Sequence, residues 1–92
     1  MKLIHKAMFE LQAGECGHVS IKHFDRIVSV DKQGCQLAVW YVIDTDKQQH
    51  RELDVCGVET GKQVPSSAAW CHSKTLLLHD ESYVLHIYIR IV

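Results

Sequence analysis

The sequence predicts an all-β domain, a small antiparallel sandwich or partly open barrel of about six or seven strands. Three observations carry that reading. Strand-like runs rich in Val, Ile, Leu, Tyr and Trp recur along all 92 residues, separated by polar or glycine-containing breaks. Between Arg26 and Asp44 two such runs flank a turn, with Gly34 in position to supply the positive φ that a short hairpin often needs. The last run alternates strictly, Tyr83, Leu85, Ile87, Ile89 and Ile91 against Val84, His86, Tyr88 and Arg90, so one face is core. The alternative is an α+β domain with one short helix.

In chain order the first run is Leu3–Leu11. After it, Glu10-Leu11-Gln12-Ala13-Gly14-Glu15 has weak helical propensity but is too short to hold a helix alone. His18–His23 and Arg26–Asp31 follow, then the turn Lys32-Gln33-Gly34 and the run Leu37–Asp44. Leu37, Val39, Tyr41 and Ile43 are opposed there by Ala38, Trp40 and Val42, which predicts a strand covered on both sides. Asp44 and Asp46 are placed to initiate a turn. His50–Val58 is the fifth run, and the stretch from Val58 to Ser67, with Gly61 and the only proline, Pro65, is the main surface loop. Ala69–Leu78 and Tyr83–Val92 close the chain around a polar turn at His79-Asp80-Glu81-Ser82, which predicts an antiparallel pair.

With 47% hydrophobic and 23% charged residues, the chain can fill the core of a single domain, residues 1–92. Ten Lys and Arg against eleven acids give a net charge of −1, which predicts no strong nucleic-acid binding. No run approaches the ~18 apolar residues of a membrane helix, and the opening residues form no signal-peptide core, so the expectation is a cytoplasmic protein without a membrane partner. Cys16, Cys35, Cys56 and Cys71 show no CxxC spacing, and in that compartment they are expected as reduced, mostly buried thiols.

Seven histidines raise the question of a metal, but no zinc-type spacing appears, and Cys71 and His72, adjacent on a strand, point to opposite faces. No metal and no cofactor are expected. Phosphate-loop, nucleophile-elbow and HExxH patterns are absent and the carboxylates are dispersed, so no catalytic residue is assigned and an enzyme is not expected. The candidate binding residues are His86, Tyr88 and Arg90, which share one face of the last run, joined by Trp40 or His72 from neighbouring strands.

Along these strands the chain resembles a family of short, uncharacterised β-rich proteins encoded in bacteriophage and other mobile-element genomes. The similarity runs through Ile4-His5-Lys6, Ile27-Val28-Ser29-Val30, Trp40-Tyr41-Val42-Ile43-Asp44, Arg51, Gly57 and Val84-Leu85-His86-Ile87-Tyr88. Where that family tends to carry Gly-Thr-Gly-His after the fifth strand, this chain reads Gly57-Val58-Glu59-Thr60. The resemblance implies a compact β protein acting by contact. The expected function is a non-catalytic accessory or interaction protein of a mobile element, with a host protein as partner. The alternative is a small-molecule or metal-binding module using Trp40, His72 and His86. Unpaired sheet edges and the apolar Leu76-Leu77-Leu78 predict a homodimer.

Overall fold

A computed structural model describes residues 1–10, 13–78 and 82–92. Among these there are seven strands and no helix. They are β1 (Lys2–Glu10), β2 (Cys16–Lys22), β3 (Phe24–Gln33), β4 (Gln36–Asp44), β5 (His50–Glu59), β6 (Cys71–Leu78) and β7 (Tyr83–Ile91). All pairings between them are antiparallel, in a three-stranded sheet ordered β1-β4-β3 and a four-stranded sheet ordered β2-β5-β7-β6. This is the small sandwich that the alternation predicts.

Apolar side chains at alternate positions meet between the sheets. Leu37 and Val39 of β4 and Phe24 and Val30 of β3 face Leu53 and Val55 of β5, Leu76 and Leu78 of β6, and Leu85, Ile87 and Ile89 of β7. Each such side chain contributes roughly 1.5–3 kcal/mol by leaving water, so these rows dominate the stability. Among the described residues no polar or charged residue is buried.

The β3–β4 hairpin forms as predicted. Gln33 pairs with Gln36 around Gly34-Cys35, and Gly34 at φ 61° takes the first central position of the two-residue turn. Lys32 and Gln33, expected in the turn, instead extend the strand. After β4, the Asp46 N–H donates to the Asp44 carboxylate at 3.1 Å, the expected aspartate turn. β6 and β7 pair as an antiparallel hairpin, while the turn at residues 79–81 and positions 11–12 of the weak helical stretch lie outside the described residues.

Two expectations are corrected, and one connection is new. Cys16 and Cys56, opposite each other on β2 and β5, form a disulfide, and Cys35 and Cys71 are exposed free thiols. Cys16 and Cys56 are far apart in sequence, so only the pairing of β2 with β5 reveals their proximity. Among the described residues no second layer covers the outer side of β4. Ala38 and Val42 are buried there by cross-strand neighbours such as Met8 and Ile4, outside the inter-sheet core. Finally, β2 passes into β3 through a single residue, His23, at φ 60°. That left-handed corner carries the chain from one sheet to the other, and the His23 ring bonds the Lys47 carbonyl at 2.5 Å.

Candidate binding face on the four-stranded sheet

The outer face of the four-stranded sheet is built by the positions that alternate with the core rows. On β7 these are His86, Tyr88 and Arg90; on β5 they are Glu52, Asp54 and Cys56; β2 adds Cys16, His18 and Ser20. Register sets Tyr88 beside Cys56 on one side and His72 of β6 on the other, and sets Arg90 beside Asp54. Four of the five predicted binding residues therefore share this face.

Trp40 does not join them. It lies on β4, on the outer side of the other sheet, registered against Lys6 and Ser29. Its place beside Arg90 is taken by Trp70, to which the strand pattern assigns no role. Trp70 belongs to a turn, not to the strand expected from Ala69. Its N–H donates to the Ser67 carbonyl at 3.2 Å, and the Ala69 N–H donates to Ser67 Oγ at 3.1 Å. The turn lays the indole under the Arg90 guanidinium, 4.6 Å from the ring centroid, within cation–π range. The signal available in the sequence is the count outward along the β6–β7 hairpin, which sets Trp70 near Arg90.

Two polar chains cross the face. In the first, Arg90 Nε and Nη2 donate to Asp54 Oδ2 at 3.0 and 2.7 Å, and Asp54 Oδ1 lies 2.5 Å from His18 Nδ1. The other ring nitrogen of His18 is 2.6 Å from Glu52 Oε2, which also accepts from Ser20 Oγ at 2.5 Å. A neutral imidazole donates through one nitrogen only, so two ionised carboxylates on the two nitrogens favour the imidazolium. The hydrogen bond to Asp54 accordingly raises the His18 pKa above its ordinary 6.5, with the charges of Asp54 and Glu52 adding to it. Asp54 is held below the usual carboxylate range by His18 and Arg90, and Glu52 by Ser20 first and then His18.

The second chain links hydroxyls and rings. Thr60 Oγ1 is 2.9 Å from His86 Nε2, and Thr75 Oγ1 lies between His86 Nδ1 at 3.0 Å and His72 Nε2 at 2.9 Å. The His72 ring meets Tyr88 edge-on at 5.5 Å between centroids and lies 6.1 Å from the His86 ring. Both nitrogens of His86 are engaged by hydroxyls. Among the described residues no group of three or more His, Cys, Asp and Glu side chains converges as a metal site.

A separate cleft of about 520 Å³ opens between the edge strands β1 and β2. Its lining includes Phe9, Val19, Leu37, Tyr41 and Leu85, with Glu15 among the polar groups. The Phe9 ring presses on Gly17, where a Cβ would lie 2.3 Å from Phe9 Cδ1, so glycine is required for the two edges to approach.

The chain matches the family described as a domain of unknown function, DUF7352, over residues 1–92. It belongs to that family. No curated protein and no solved structure matches it.

Proposed function

We propose that this DUF7352 protein is a non-catalytic interaction protein that holds a protein partner on the outer face of its four-stranded sheet. The observation that carries the reading is the clustering of Trp70, Arg90, Tyr88, His72 and His86 on one exposed face. Trp, Tyr and Arg are the residues in which binding energy concentrates at protein interfaces. Stability alone does not account for the cluster, because exposed ion pairs contribute only about 0–1 kcal/mol each. The strand-by-strand resemblance to proteins of mobile DNA supports a host protein as that partner and a bacteriophage or mobile-element accessory role.

The test is affinity capture from a bacterial lysate with wild-type protein and with Tyr88→Ala and Arg90→Ala. A defined partner retained by wild type and weakened at least about tenfold by either substitution is the expected result, each being the truncation of a hot-spot residue type. Equal capture by all three proteins contradicts it.

The β1–β2 cleft favours a second reading, a small apolar ligand held between the sheets, because its volume falls within the ~300–1,000 Å³ of ligand pockets. A thermal-shift screen of wild type against Val19→Trp checks it. Ligand hits abolished by the larger side chain support this reading, and an absence of hits sinks it.

A further inference from the structure

We propose that a second copy of this chain pairs with the exposed edge of β1, antiparallel and about a two-fold axis at Lys6. Among the described residues the sandwich has four edge strands, and they are not equivalent. β3 carries two register shifts against β4 and β6 carries one against β7, irregularities that spoil an edge for further pairing. β1 pairs with β4 without interruption over nine residues, and among the described residues no strand pairs with its other side. It is long, regular and apolar for an edge, with Ile4 66% exposed, Leu3 39% and Met8 36%.

Its sequence is also self-complementary. Laid antiparallel on itself with Lys6 at the centre, Lys2-Leu3-Ile4-His5-Lys6-Ala7-Met8-Phe9-Glu10 sets Lys2 against Glu10, Leu3 against Phe9, Ile4 against Met8 and His5 against Ala7. Each pair occurs twice. Opposite charges and apolar pairs facing each other are the arrangements that stabilise neighbouring strands. Sliding by two residues either way sets Ile4 against Lys6 or against Glu10 and loses both matches. A one-residue slip puts the apolar residues of one copy on the wrong face.

Only Lys6 meets its own kind. Its ammonium donates to Gln33 Oε1 at 2.7 Å, across its own sheet, and so lies away from the axis. The remaining regular edge, β2, holds no acid among Cys16-Gly17-His18-Val19-Ser20-Ile21-Lys22, so self-pairing there leaves Lys22 without an opposite charge. The β1–β2 cleft, lined by Lys6 to Glu10 of β1, lies beside the same edge. An isologous pairing of this kind closes on itself and stops at two.

Sedimentation of the full chain over a micromolar range tests the pairing. The expected result is a dimer weakened about tenfold by Lys2→Glu or by Glu10→Lys, each of which places two like-charge pairs in the interface, and restored by the two together. Ile4→Lys, at an exposed site, is expected to yield monomer with unchanged circular dichroism. Register is read in a Cys35→Ser, Cys71→Ser background. There Lys6→Cys is expected to cross-link two chains under oxidation, since residue 6 faces itself ~4.5–5.5 Å away between Cα atoms, and Met8→Cys is not. A monomer at high micromolar concentration overturns the proposal. So does a dimer indifferent to Ile4→Lys and to the charge exchange. Neither result bears on partner capture by the opposite sheet.

Discussion

The outer faces of the two sheets are made by the same alternation and differ in nearly every other respect. On the three-stranded sheet an apolar centre of Ile4, Met8 and Trp40 around the buried Ala38 and Val42 is flanked by Lys6 and Glu10 of β1 and by Arg26, Ser29 and Asp31 of β3. On the four-stranded sheet the face is a polar surface of His18, His72 and His86, two carboxylates, Arg90 and two aromatic side chains. The contrast separates two jobs. An apolar centre over buried alanine and valine stabilises its own sheet. A face of satisfied donors and acceptors with half-buried aromatics adds little stability and suits recognition.

The largest effect that sharpens the contrast concerns the disulfide, which staples the four-stranded sheet alone. Reduction of Cys16–Cys56 frees a loop defined by a 40-residue separation and is expected to lower unfolding stability by roughly 3–4 kcal/mol on the chain-entropy account. Urea titration with and without a phosphine reductant reads it, and the Cys16→Ala, Cys56→Ala double variant is expected to match the reduced protein. An unchanged midpoint on reduction breaks this part of the account.

Next come the two tryptophans. Trp40→Ala removes cover from Ala38 and Val42 and is expected to cost about 2 kcal/mol, less than the ~3–5 of a fully buried aromatic. Trp70→Ala removes a cation–π contact at a partly exposed arginine and is expected to cost about 0.5–1 kcal/mol. Partner capture is expected to run the other way, lost with Trp70→Ala and kept with Trp40→Ala. Equal effects in both assays would erase the division between the faces.

The smallest effect is one of pH. His18 has a raised pKa, so its contribution is full below its ordinary 6.5 and is lost as pH rises through the folded value. Asp54 and Glu52 have lowered values, so theirs is present above 3.8 and 4.5 and is lost as pH falls through the folded values. The network is therefore strongest between about pH 4.5 and 6.5. Thermal melts are expected to show a decline from pH 6 to pH 8 that is shallower in His18→Gln; parallel curves contradict the ion-pair assignment.

Much of the fold is legible in the amino-acid order itself. Period-two alternation identifies β7 and its inward row, and Gly34 identifies the hairpin, because both are local properties of the backbone. What the amino-acid order does not reveal is nonlocal. Trp40 looks like a neighbour of His86 because both lie on apolar strands, but β4 and β7 belong to different sheets, and sheet membership depends on pairings such as β2 with β5 across half the chain. The same nonlocality hides Cys16–Cys56. Trp70 escapes for a local reason, since Ala69 and Trp70, which close a turn on Ser67, read as the start of a strand. The left-handed His23 carries no signal at all, because few residues other than glycine take that conformation and histidine is not diagnostic of it.

The most direct test of the recognition face is hydroxyl-radical footprinting of the captured complex against the free protein. Tyr88, Trp70 and His72 are expected to lose labelling on binding, while Trp40 and Met8 keep theirs. Protection of Trp40 with unchanged Tyr88 and Trp70 would contradict the assignment and move the interface to the other sheet.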